Sequence, residues 1–226
     1  MIDQLNDFLS QFSTEERSSQ LLEVAQQRTR YVTVVLEDIY QTQNASAVLR
    51  TCDCFGVQDI HIIENTNSFN INPQVVIGAT KWLHLHQYNQ QANNTKSALR
   101  KLKADGYRIV ATTPHRNDVN LNNFDLDAGK VAIVFGNERE GISDLVMEEA
   151  DEFMKIPMYG FSESLNISVC AAITLQHLTN QLKSSNIKWQ LSEHELKELY
   201  LEWLRKSIKK SELLVDEFNQ RNNTCY

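Results

Sequence analysis

The chain has 226 residues, 42% of them in the hydrophobic set and 23% charged. That is enough apolar material for one sizeable core with appendages, and it excludes global disorder. No apolar run approaches the ~18 residues needed to cross a bilayer, and the first residues are acidic and polar where a secretory leader would be basic and then apolar. A cytoplasmic chain without a membrane partner is therefore expected. The net charge of −7 does not advertise a nucleic-acid partner, so any phosphate-binding surface must be local.

Two short helices are predicted at about 3–10 and 14–28, the second opened by a capping box of Ser13 and Glu16. Tyr31 to Glu37 is a continuous β-branched run, as in a strand buried on both faces. Asn44 is placed to cap a helix that runs to Phe55 and stops at Gly56. Strands are expected at 59–63, at 82–86 as a short edge strand, at 107–112 and at 131–135. Helices are expected at about 95–105 and 143–150. A further strand at 153–156 ends at Pro157, and a long apolar helix covers about 166–183. This alternation predicts an α/β domain with a mainly parallel sheet flanked by helices.

The tail opens on a second capping box, Ser192 with Glu195. Leu196, Leu199, Tyr200, Trp203, Leu204 and Ile208 then follow one helical face. Either the N-terminal helices or a second subunit must cover it. The organisation expected is a helical extension over 1–30, a core domain over 31–184 and a second helical extension over 185–226.

Cys52, Cys54, Cys170 and Cys225 form no CxxC pair and no zinc spacing, so reduced thiols and no metal are expected. His84 and His86 share a strand face without a visible third ligand and read as structural or surface residues. Three of the seven glycines, Gly136, Gly141 and Gly160, fall within 25 residues. Glycine permits close backbone approach, and ligands of open α/β sheets sit beyond the carboxyl ends of strands, where Thr112, Gly136 and Pro157 stand. No GxGxxG follows the first strand and no GxxxxGK[ST] occurs, which argues against dinucleotide and P-loop sites. Gly160-Phe-Ser-Glu-Ser164 lacks the last glycine of a nucleophile elbow. On the helix after Asn44, Arg50 points away from the stripe of Ala45, Val48, Cys52 and Phe55. It is either a guanidinium offered to a ligand or phosphate, or a surface arginine paired with Asp53.

Three segments resemble the motifs of the SpoU branch of the SPOUT RNA methyltransferases. They are Asn44-Ala-Ser-Ala-Val-Leu-Arg50-Thr-Cys-Asp-Cys-Phe-Gly56, Val134-Phe-Gly-Asn-Glu138-Arg-Glu-Gly141-Ile-Ser143, and Ile156-Pro-Met-Tyr-Gly160-Phe-Ser-Glu-Ser164-Leu-Asn166-Ile-Ser-Val169. The flanking helices and Gly78-Ala-Thr-Lys-Trp82 are similar to the TrmH branch of that family, whose members 2′-O-methylate a guanosine ribose in the D-loop of tRNA. Ribosomal RNA is the alternative substrate, and a non-catalytic RNA-binding dimer is the alternative of another class.

The resemblance implies a sheet whose C-terminal part threads a deep trefoil knot, S-adenosyl-L-methionine bound in that knot, and a homodimer acting on tRNA rather than DNA. It implies catalytic roles for Asn44, Arg50, Glu138, Ser164 and Asn166. Cofactor contacts would come from Thr112, Thr113, Gly136, Ile156, Met158 and Leu165. Arg50 would hold a phosphate and stabilise a forming alkoxide, since a guanidinium is too weak an acid to serve as a base. Arg17, Arg28, Arg30, Arg205, Lys206, Lys209, Lys210 and Arg221 form either a basic RNA surface or a solvated face.

Overall fold

The computed structural model describes residues 1–113 and 119–223. They form two compact units: residues 29–189, and a second made from both ends of the chain, 1–28 with 190–226. Cys225 lies outside the described residues.

The larger unit carries a seven-stranded parallel sheet. Its strands are β1 (Val32–Glu37), β2 (Asp59–Ile63), β3 (His84–Tyr88), β4 (Arg108–Thr112), β5 (Val119–Asn120), β6 (Val131–Phe135) and β7 (Glu152–Lys155), in the order β3-β2-β1-β6-β4-β7-β5. β1 is central and buried along its whole length, as its unbroken apolar run requires. It pairs with β2 on one side and with β6 on the other.

The period-2 alternation of β1 and β6 divides the core between the two faces of the sheet. Val32, Val34 and Leu36, with Val131, Ile133 and Phe135, pack against helices α3 (Thr42–Phe55) and α7 (Ile167–Lys183). Val35, Ala132 and Val134 pack on the opposite face against α5 (Asn94–Ala104) and α6 (Asp144–Glu149). A single turn, α4 (Pro73–Val76), lies between β2 and β3.

His84 and His86 both turn toward Asp59 on β2, with His86 Nε2 at 2.8 Å and His84 Nδ1 at 3.5 Å from Oδ1, and Arg30 Nε donates to Oδ2 at 2.8 Å. Burial opposes ionisation of Asp59, but the hydrogen bonds from the two histidines and the charge of Arg30 outweigh it and hold the carboxyl well below its ordinary range. Among the described residues no cluster could hold a metal ion.

The smaller unit contains α1 (Ile2–Ser10), α2 (Glu15–Gln26), α8 (Glu193–Ser207) and α9 (Ser211–Asn223). The chain's own N-terminal helices cover the aromatic face of the tail: Trp203, Leu199 and Leu204 are buried with Leu9, Leu21 and Ala25. The capping box of Ser192 and Glu195 forms. The one expected at Ser13 does not, because α2 starts a residue later and Thr14 accepts from the Arg17 N–H. Part of the expected basic surface is paired with carboxylates. Arg205 pairs with Glu212, Lys206 with Glu202 and Arg221 with Glu217, while Arg28 is buried over Trp203.

Candidate active site

At the carboxyl ends of β4, β6 and β7 the larger unit encloses a cavity of about 630 Å³, a size suited to a small organic ligand. Thr112 and Thr113 line it from the end of β4, Gly136 to Ile142 from the loop after β6, Ile156 and Met158 from the loop after β7, and Ser164 to Ile167 from the approach to α7. Asn44 and Gln41 contribute from the start of α3. Ten of the eleven site residues expected from the sequence therefore meet around one space. Arg50 does not: it is exposed on α3, and the wall includes no part of it.

The loop after β6 is shaped by backbone. The N–H and C=O of Asn137 bond reciprocally to Gly141 at 2.8 Å, and Gly141 needs its left-handed φ of +75° to close this turn. A Cβ on Gly136 would lie 2.2 Å from the Gly141 carbonyl oxygen, so only glycine fits there. Asn137 Oδ1 accepts from the Arg139 N–H at 2.8 Å, and its Nδ2 donates to the Asp38 carbonyl at 2.7 Å.

Three of the five expected catalytic residues form one hydrogen-bonded chain. Glu138 Oε2 accepts from the Tyr40 N–H at 2.8 Å, and Oε1 accepts from the Gln41 N–H at 3.1 Å and from Asn44 Nδ2 at 2.9 Å. Asn166 Nδ2 donates to Asn44 Oδ1 at 3.1 Å. Asn44 is consequently not the helix cap expected from the sequence. α3 begins at Thr42, the Gln41 side chain makes no capping bond, and the Glu138 carboxylate, arriving from another loop, accepts from the N–H groups of Tyr40 and Gln41 just before the helix. Burial alone would raise the Glu138 carboxyl, but bonds from Asn44, Tyr40 and Gln41 prevail and lower it. Asn166 caps α7 by accepting from the Ser168 N–H at 2.9 Å.

Sequence reading missed the residues that hang these loops from β1. Glu37 is buried at the strand end, and its carboxylate accepts from Thr95 Oγ1 at 2.7 Å and from Ser143 Oγ at 2.8 Å. Asp38 follows with a left-handed φ of 53°, and its Oδ1 accepts from the N–H groups of Asn65, Thr66 and Asn67. A charge closing a buried run was the available signal for Glu37. Asp38 gave none.

Residues 31–176 match the model of the SpoU rRNA Methylase family. The chain is 42% identical over 211 residues to a tRNA (guanosine(18)-2′-O)-methyltransferase of Borreliella burgdorferi, covering 93% of this chain and 94% of that one. The crystal structure of a TrmH/SpoU tRNA modifying enzyme from A. aeolicus superimposes with a TM-score of 0.75 at 30% identity, over 87% of this chain and 98% of that one. The SpoU methyltransferase AviRb from Streptomyces viridochromogenes, solved in complex with the cofactor AdoMet, shares the fold at 20% identity and a TM-score of 0.59, over 73% of this chain and 62% of that one.

Proposed function

The chain belongs to the SpoU methylase family, and from that premise we propose that it methylates the ribose 2′-oxygen of guanosine 18 in the D-loop of tRNA, using S-adenosyl-L-methionine. The observation that carries this reading is the Glu138–Asn44–Asn166 chain at the mouth of the cavity. The cavity fits the cofactor: it has the volume, an apolar wall of Ile142, Met154, Ile156, Met158 and Leu165, and a glycine-tight loop that presents backbone. Thr112, Thr113, Gly136, Ile156, Met158 and Leu165 are the contacts proposed. When bound, the cofactor supplies a methyl group on a sulfonium, a leaving group that needs no acid.

The protein's work is then positioning. Both N–H groups of Asn44 are occupied by Gln41 and Glu138, and its oxygen by Asn166. Asn44 therefore acts as a relay that orients Asn166. One N–H of Asn166 remains to donate to the ribose hydroxyl oxygen. Ser164, on the same exposed loop, would shape the approach to the cofactor. Glu138 has its lone pairs committed to three donors and is a poor base, so the ribose proton leaves to phosphate or water.

A homodimer is part of this reading. α7 leaves Val169 and Ile173 exposed, beside exposed Leu165, Tyr159 and Phe161, and α3 packs along α7 with Arg50 on its outer side. A second copy on that face would bring Arg50 to a phosphate of the acceptor nucleotide. So is a trefoil-knotted path through the C-terminal part of the unit. It is supported by β6 lying between β1 and β4, with β7 beyond β4 before α7 returns to α3. A cytoplasmic site of work goes with a tRNA substrate, and no helix among the described residues is long and apolar enough to span a membrane.

The test is transfer of labelled methyl to total RNA, followed by mapping of the ribose-methylated position. Label at a D-loop guanosine is expected, and label in ribosomal RNA would reassign the substrate. Arg50→Ala should bind cofactor normally and lose turnover by about 10²-fold or more. Near-normal turnover removes Arg50 from the mechanism.

A further inference from the structure

We propose that Arg139, stacked on Tyr40 at the mouth of the cavity, is a second guanidinium, besides Arg50, through which each chain grips an RNA phosphate near the acceptor ribose. This rests on the reading of the cavity as a ribose-methylation site. Arg139 Cζ lies 4.2 Å from the centroid of the Tyr40 ring. Both residues are exposed, Tyr40 by half, and Arg139 lines the cavity. Their backbones are pinned by the same loop: the Tyr40 N–H donates to Glu138 and the Arg139 N–H to Asn137. The pair therefore stands one residue from the carboxylate that organises the site.

Among the described arginines, Arg139 is the one in the cavity wall, while several others are held by carboxylates elsewhere. Arg30 is bound to Asp59, Arg108 to Glu152, Arg205 to Glu212 and Arg221 to Glu217. Arg139 has no carboxylate partner among the described residues, and the face of an aromatic ring supports it instead. Such stacking covers a face of the guanidinium and leaves its in-plane N–H edges for hydrogen bonding, the geometry that takes a phosphate bidentately. In a chain of net charge −7, an unpaired guanidinium at the cavity mouth is the local positive charge that an RNA backbone requires.

The experiment measures tRNA affinity across a salt series, together with cofactor binding by titration, for the full-length protein and for R139A, R139K, Y40A and Y40F. R139A should weaken tRNA binding about 10-fold and make the log–log salt dependence shallower by about one, with cofactor affinity within about threefold. R139K should recover little of the loss, because an ammonium lacks the planar fork. Y40F should match the wild type, and Y40A should fall between the wild type and R139A. R139A with wild-type tRNA affinity and salt slope would overturn the phosphate role, and R139K with full affinity would overturn the stacked geometry. Either result in a protein that methylates tRNA removes this inference alone. A wild-type chain that neither binds nor methylates tRNA removes the functional reading with it.

Discussion

The carboxamide of Asn166 donates to that of Asn44 at 3.1 Å across 122 positions of sequence. This bond ties the first turn of α7 to the first turn of α3 at the cavity mouth. Glu138 secures the same point from the loop after β6, so three distant segments share one register.

Glu138→Ala removes the acceptor for the Tyr40 and Gln41 N–H groups and for Asn44 Nδ2 together. Turnover should fall by about 10²–10³-fold, with cofactor affinity changed much less, as single-turnover kinetics and a binding titration would show. The carboxyl is lowered in the folded protein. Its stabilising contribution is therefore complete above the ordinary glutamate value and is lost only as pH falls through the lower folded one. An acid limb of the rate profile at or above the ordinary value that disappears in Glu138→Gln would contradict this.

Gly136→Ala places a methyl 2.2 Å from the Gly141 carbonyl oxygen. The Asn137–Gly141 turn must open, and backbone on both sides leaves nothing flexible to yield. We expect about 2–4 kcal/mol of destabilisation and loss of measurable cofactor binding. Thermal unfolding would check the first and titration the second, and an Ala variant that binds cofactor normally would contradict the fit.

Glu37→Ala strips the acceptor from Thr95 and Ser143 inside the core. The cost should be about 2–3 kcal/mol in urea unfolding, the range for buried bonds to a charged group. Glu37→Gln should be milder, since both hydroxyls donate to Oε1 and a carbonyl oxygen placed there can keep both bonds. Equal midpoints for the wild type and both variants would refute the anchoring role.

His61 is buried against Tyr88 and stacked on His86. Burial, aided by the neighbouring His86, lowers its pKa from 6.5 to about 4. The folded state resists a proton that the unfolded chain accepts, so this group's contribution to stability is full above about 6.5 and declines as pH falls toward 4. Below that it declines no further. The fall should total a few kcal/mol at most and be absent in His61→Gln, as urea midpoints measured between pH 4 and 7 would show. An unaltered slope in the variant would assign the acid sensitivity elsewhere.

Much of the sheet was legible because its central strands are continuous β-branched runs. The run from Val131 to Phe135 could only be a buried strand, and Gly136 after it marked the turn. The edge strand was found with its ends misplaced: it covers His84–Tyr88 rather than 82–86, because pairing with β2 fixes a register that local pattern does not encode. β5, only two residues long, carries too little pattern to be read. In the site, polar residues embedded in motifs were found and those acting through the backbone were not. Asn137 works through a turn, and Asp38 through a left-handed backbone and a carboxylate that binds loop N–H groups, neither of which composition reveals. Arg50 shows the opposite limit: its motif was legible, yet its side chain is exposed and the cavity wall does not include it.

The pairing of β1 with β6 joins Leu36 to Phe135, and the cavity's loops leave strands on the far side of that junction. The pocket therefore cannot assemble until the chain has made this return, and pairings so remote in sequence form slowly. A ligand that binds only the finished pocket then acts as a latch on the larger unit. Cofactor at about a hundredfold over its dissociation constant would add about 2.7 kcal/mol to the resistance of the unit to unfolding.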